Sequence, residues 1–163
     1  MAFTHTYFLT ANRFVAKTSS GLKTIDDLKG KTVASTSGTS NLKELLEANT
    51  SRQLGMTILT SKDLAEGFLL VETGRADAYV MDDILLAGMV ASSKTPAACA
   101  ISTDEFNVPE PYGIMLRRDD PAFKAVVDRA TTNLYTSPPR WQRCMPNGSL
   151  RPSPRKASTS TSP

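Results

Sequence analysis

Strand-like and helix-like segments alternate along residues 3–137 of this chain, and the alternation predicts an α/β fold, a mostly parallel sheet covered by helices. Two observations carry that prediction. Short β-rich runs, KTVAST (31–36), MTILTS (56–61) and ADAYVM (76–81), stand between helical patterns. The connections between them are short and polar, and Gly30 and Gly74 sit where stops are needed. At 163 residues, with 40% hydrophobic and 21% charged side chains, the chain has the composition of one globular domain with appendages.

Taken in order, FTHTYFLTANRFVA (3–16) is rich in β-branched and aromatic residues and reads as one or two strands, followed by a turn at KTSSG. Thr24 can cap a short helical turn through IDDLKG. After the strand 31–36, the turn SGTSN (37–41) leads into a helix capped by Ser40 or Asn41, with Leu42, Leu45 and Leu46 on its apolar face. Residues 64–74 and 83–93 read as helices, and 99–103 and 112–118 as strands. The last regular segment, 119–137, is a helix with Pro121 near its start and Phe123, Val126, Val127 and Leu134 as its stripe. There the alternation ends. Residues 138–163 contain six prolines and no acid.

That tail distorts the overall charge. The chain has 19 Lys and Arg against 16 Asp and Glu; setting aside Arg140, Arg143, Arg151, Arg155 and Lys156 leaves 14 basic groups in residues 1–137, a net of −2. The body is therefore no polyanion binder by charge, and nucleic acid is not an expected partner. Cys99 and Cys144 have no metal-ligand spacing, and no metal or cofactor is implied. MAFTHTYFLT lacks the features of a signal peptide, so the chain as written reads as cytoplasmic.

Ligands of open α/β sheets bind beyond the carboxyl ends of strands. Two such exits carry suitable groups. STSGTSN (35–41) presents hydroxyls and backbone N–H groups at a helix start, which suits a carboxylate or phosphate, although a plain capped turn uses the same residues. It lacks the lysine of a nucleotide-binding loop. MDD (81–83) offers Asp82 to an ammonium group, the alternative being that Asp82 caps the next helix. An anion site beside a cation site fits an amino-acid zwitterion. Catalysis has weaker support: His5, the one histidine, has no evident nucleophile partner, Cys99 lies among small apolar residues, and the pairs Asp82–Asp83 and Asp119–Asp120 sit at helix starts.

Three blocks, TIDDLKGKTVASTSGTSNLKELLE, TILTSKDLAEGFLLVETGRADAYVMDDILLAG and PYGIMLRRDDPAFKAVVD, resemble the glutamate/aspartate-binding branch of the bacterial periplasmic amino acid-binding proteins, the solute receptors of ABC importers. The resemblance covers residues 1–137. It implies two α/β lobes that close on a ligand, with 21–108 as the second lobe, 1–20 as a hinge strand and first-lobe remnant, and 109–137 as the returning strand and a first-lobe helix. It assigns Thr36, Thr39 and Ser40 to the ligand and Asp82 to the α-ammonium group. It implies L-glutamate or L-aspartate as ligand, an ABC permease as partner, and a periplasmic location. Leu64 stands where this branch has a ligand-contacting histidine. Most of the first lobe and the signal peptide would precede Met1, so the expectation is an incomplete fragment that binds weakly or not at all. The alternative is an enzyme on the same scaffold, a dehydratase-like relative acting on cyclic acids.

The resemblance also gives residues 138–163 a reading. Back-translated and read from one base earlier, they can encode AKWF and GINLNFP, endings typical of the branch. The expectation is a disordered, frame-shifted tail, and the nucleotide sequence at this locus tests it.

Overall fold

A computed structural model of the chain describes residues 1–136. The expectations for 138–163 lie outside the described residues. In chain order the elements are β1 (Ala2–Phe3), β2 (Phe8–Thr10), β3 (Asn12–Lys17), β4 (Thr32–Thr36), α1 (Ser40–Ser51), β5 (Thr57–Ser61), α2 (Leu64–Glu72), β6 (Ala78–Asp82), α3 (Asp83–Ser92), β7 (Cys99–Ile101), β8 (Glu110–Tyr112), β9 (Met115–Leu116) and α4 (Pro121–Thr136). They fall into two compact units, Thr10–Glu110 and a second made of Met1–Leu9 with the chain from Pro111 onward.

Thr10–Glu110 is built on a five-stranded sheet of order β5-β4-β6-β3-β7. β4 is parallel to β5 and β6, whereas β3 runs antiparallel to both β6 and β7. The sequence reading began this lobe at 21; the compact unit begins at Thr10, because β3 lies inside the sheet. Its residues Phe14, Val15 and Ala16 are buried in succession, as a strand covered on both faces requires. Val33–Ser35 in β4 and Ala78–Met81 in β6 are buried in the same way. On one face Phe14, Val33, Ala78 and Val80 pack with Ile25 and Leu28 of a short 3-10 turn and Leu45 of α1. On the other face Val15, Ala34 and Tyr79 pack with Phe68 and Val71 of α2 and Leu86 of α3. Each large side chain buried this way contributes about 1.5–3 kcal/mol.

Local chemistry sets the boundaries. The turn at Ile25–Leu28 starts where the Asp27 carboxylate accepts the backbone N–H groups of Thr24 (2.8 Å) and Lys23 (2.9 Å). α2 starts at Asp63, whose carboxylate accepts from the Glu66 N–H at 2.9 Å. α1 is capped one residue earlier than the sequence suggested: the Thr39 hydroxyl accepts from the Leu42 N–H at 3.3 Å. Its inward face also differs. Leu45 and Asn41 are buried, while Leu46 is 47% exposed.

In the other unit, β1 pairs antiparallel with β9 and β2 is hydrogen-bonded to β8. The expected strand 112–118 is interrupted at Gly113 and Ile114. There the Ile114 carbonyl accepts from the Thr4 backbone N–H at 3.0 Å, and the Ile114 N–H donates to the Thr4 hydroxyl at 2.9 Å. α4 begins at Pro121, with the Asp120 carboxylate accepting from the Phe123 N–H at 2.9 Å. Its stripe is not shielded: Phe123, Val126 and Leu134 are exposed. No helix among the described residues is long and apolar enough to cross a membrane.

Candidate functional site

Both strand exits open at one end of the sheet. β4 ends at Thr36 and β6 at Asp82, and the neighbouring register pairs Ser35 with Val80. β3 enters at the same end, since it is reversed, and Asn12 stands directly opposite Asp82. A parallel pair of exits beside a reversed entry thus gathers groups from three adjacent strands, to which the N-terminus of α1 is added.

The Thr36 hydroxyl lies 2.7 Å from the Tyr79 hydroxyl and 3.3 Å from that of Ser61. Tyr79 is fully buried, and burial pushes its phenol up from the ordinary value, while hydrogen bonds to Thr36 and Ser61 act in the opposite direction. The ring occupies space that only a glycine leaves open: a Cβ on Gly67 would stand 2.2 Å from it. Gly67 on α2 therefore sets where Tyr79 sits, and Tyr79 sets the Thr36 hydroxyl. Gly38, at φ 76°, turns the chain from β4 toward α1. The Thr39 hydroxyl, which caps α1, donates to the Thr36 carbonyl at 2.7 Å and so ties the helix start to the strand exit. Ser40, the first residue of α1, is exposed.

Asp82 occupies the cap position of α3, but its side chain makes no capping hydrogen bond. Its Oδ1 instead accepts from Asn41 Nδ2 of α1 at 2.7 Å. The neighbouring Asp83 accepts from the Thr10 hydroxyl at 2.8 Å and lies 3.9 Å from the Arg13 guanidinium. Capping alone thus does not account for Asp82.

The sequence reading did not identify the polar cluster behind Asp82. Asn41 Nδ2 also donates to Asn12 Oδ1, and Asn12 Nδ2 donates to Glu44 Oε2 at 2.5 Å. Glu44 Oε1 accepts from Asn107 Nδ2 at 3.0 Å, and Asn107 Oδ1 accepts the Asn12 backbone N–H at 3.0 Å. Glu110 joins this edge. The residue is exposed, but partial desolvation pushes its carboxyl above the ordinary value, and the Glu44 and Asp82 carboxylates add to the rise. One signal was present: Asn41 shares the inward face of α1 with Leu45, at a position where the helical pattern asks for an apolar residue.

Leu64 is the first residue of α2 and packs, half-buried, on the face that contains Phe68 and Leu86. Cys99 lies away from these exits, at the start of β7 beside Lys17 and Glu72, and burial raises its thiol. His5 belongs to the other unit, where its backbone N–H donates to Asp128 at 3.0 Å. Among the described residues, no group of three or more His, Cys, Asp or Glu is placed to hold a metal ion.

The arrangement places hydroxyls and the N-terminus of α1 on one side and a carboxylate on the other, groups that can recognise a small polar molecule. The chain is 40% identical over 132 residues to the L-glutamate/L-aspartate-binding protein of Pseudomonas aeruginosa, an alignment covering 80% of this chain and 43% of that protein. It is also 40% identical over 136 residues to the glutamate/aspartate import solute-binding protein of Salmonella typhimurium, covering 83% and 45% respectively. The chain therefore spans less than half the length of these curated relatives. Its fold matches an ABC transporter periplasmic binding protein from Brucella ovis, solved with glutathione bound, at a TM-score of 0.71 and 20% identity, over 77% of this chain and 40% of that one. The expected periplasmic-binding-protein-like α/β fold is thus the fold observed. The family signature described as NMT1/THI5 like matches residues 3–128, and the chain belongs to that family.

Proposed function

We propose that this chain supplies part of the amino-acid site of a solute receptor that binds L-glutamate or L-aspartate and delivers it to the membrane permease of an ABC importer. The observation that carries the proposal is the pairing, at one sheet end, of the Thr36–Thr39 exit with the Asp82 carboxylate, in a chain 40% identical to glutamate/aspartate-binding proteins. In this reading the Thr36 and Ser40 hydroxyls donate to a ligand carboxylate at the N-terminus of α1, where the helix dipole also favours negative charge; Thr39, whose hydroxyl proton goes to the Thr36 carbonyl, contributes through its backbone N–H. Asp82 accepts the α-ammonium group through charge-assisted hydrogen bonds. Leu64 borders the site without donating a hydrogen bond. A receptor of this kind works in the periplasm and performs no covalent step. No specific observation favours a dehydratase-like activity, and the named relatives are binding proteins.

Titrating the full chain with L-glutamate, L-aspartate and L-glutamine, followed by NMR so that millimolar affinities register, tests the proposal. Asp82→Asn is expected to weaken glutamate by about tenfold or more, since it removes a charged partner of the ammonium group. Equal binding by this variant and the parent chain would contradict it.

A further inference from the structure

We propose that Asn41 is a positioning residue, holding the Asp82 carboxylate in the orientation that lets the site select ligands bearing an ammonium group. The proposal rests on the reading of Asp82 as the ammonium acceptor.

The geometry behind it is a chain of hydrogen bonds with a single self-consistent direction. Both hydrogens of the Asn41 carboxamide are used, one on Asp82 Oδ1 at 2.7 Å and one on Asn12 Oδ1. An ionised carboxylate only accepts, so the bond to Asp82 fixes which way the Asn41 amide faces. The Glu44 carboxylate at the other end does the same for Asn12 and Asn107, both of which donate to it. Turning over either the Asn12 or the Asn41 amide would set a carbonyl oxygen against a carboxylate. Asn12 and Asp82 are cross-strand partners on β3 and β6, and Asn41 reaches both from α1. The strand pair and the helix are thereby locked at the point where the Asp82 side chain leaves the sheet.

Helix stability alone does not account for an asparagine at this position. Thr39 provides the cap of α1, and Asn41 lies on the inward face with Leu45, where a leucine would match the pattern. Asn41 is only 3% exposed, so its amide is withdrawn from bulk water, and both of its N–H groups bond to protein. A buried amide at this point orients a neighbour, and the neighbour here is the site's carboxylate.

The test compares L-glutamate with glutarate, the same diacid without the amine, on the full chain by NMR titration. The parent chain is expected to prefer glutamate by at least about tenfold. Asn41→Leu and the near-isosteric Asn41→Asp are expected to cut that preference to about threefold or less, with glutarate affinity held within about twofold. A structural lesion would instead weaken both ligands together. If Asp82→Asn abolishes the preference but both Asn41 variants keep it, or if both Asn41 variants bind neither ligand, the positioning role is overturned while the reading of Asp82 stands. If the parent chain shows no preference, or Asp82→Asn retains it, the reading of Asp82 fails and the positioning role fails with it.

Discussion

In Thr10–Glu110, the side chains of Phe14, Val33, Leu45, Tyr79 and Val80 are closed off from solvent, whereas Phe3, Met115, Phe123 and Val126 of the other unit are each more than half exposed. Both core clusters lie within Thr10–Glu110. The two units use similar residues under the same patterning rules. The difference is geometric. A five-stranded sheet with helices on both faces offers each apolar stripe an opposing surface, while the two- and three-residue strands and α4, the elements described in the other unit, do not. Among the described residues of that unit, polar ties join Thr4 with Ile114 and His5 with Asp128, and the Phe8 and Tyr112 rings meet edge-on with centroids 6.1 Å apart. Amphipathic patterning therefore marks where a helix wants a partner, and only the tertiary arrangement supplies one.

The largest expected effect follows directly from that contrast. Leu45→Ala should cost about 2–5 kcal/mol by opening a cavity in a closed core, whereas Phe123→Ala should change stability by no more than about 0.5 kcal/mol. Urea denaturation of the two variants measures this. Equal losses would mean that the units are stabilised alike, and the contrast would break.

A second substitution asks whether the core of Thr10–Glu110 also sets the site. Gly67→Ala places a Cβ 2.2 Å from the Tyr79 ring, and relieving that overlap should cost about 1–3 kcal/mol. Because Tyr79 holds the Thr36 hydroxyl at 2.7 Å, the amide resonances of Thr36 and Ser61 should shift as well. A stability loss with those resonances unmoved would separate core from site.

The smallest effects concern pH and have opposite signs in the two units. The Lys124 ammonium and the His5 backbone N–H hold the Asp128 carboxyl below its ordinary 3.8. Its contribution is present above that value and is lost as pH falls through the depressed one. Glu110, an exposed side chain, is raised above its ordinary 4.5 by partial desolvation and by Glu44 and Asp82. The stability it contributes is present below 4.5 and is lost as pH rises through the raised value. Asp128→Asn should flatten the acid limb and Glu110→Gln the rising limb in denaturation series between about pH 3 and 7. Unchanged limbs would contradict the assigned causes.

These contrasts also show which features were legible in the chain. β4 and β6 were, because consecutive apolar residues between short polar turns leave few alternatives to a covered strand. The exits at Thr36 and Asp82 were legible too, since they follow from where such strands end. The cluster of Asn12, Asn41, Glu44 and Asn107 was not, because its members come from a strand, a helix and a loop, and buried polar groups are explained only by partners distant in sequence. The break of the strand 112–118 at Gly113 and Ile114 was hidden for the same reason: the partner that captures Ile114 is Thr4. Thr39 rather than Ser40 caps α1 because its hydroxyl also reaches the Thr36 carbonyl, a contact set by the turn at Gly38.

In the proposed function, the sheet end of Thr10–Glu110 is the amino-acid site. Amide-resolved NMR of the full chain during titration with L-glutamate tests it most directly. The expected result is a set of shifts centred on Thr36, Thr39, Ser40 and Asp82, requiring about tenfold or more L-glutamate in Asp82→Asn, with α4 unaffected. Shifts centred elsewhere, or the same titration curve at those residues in Asp82→Asn, would contradict it.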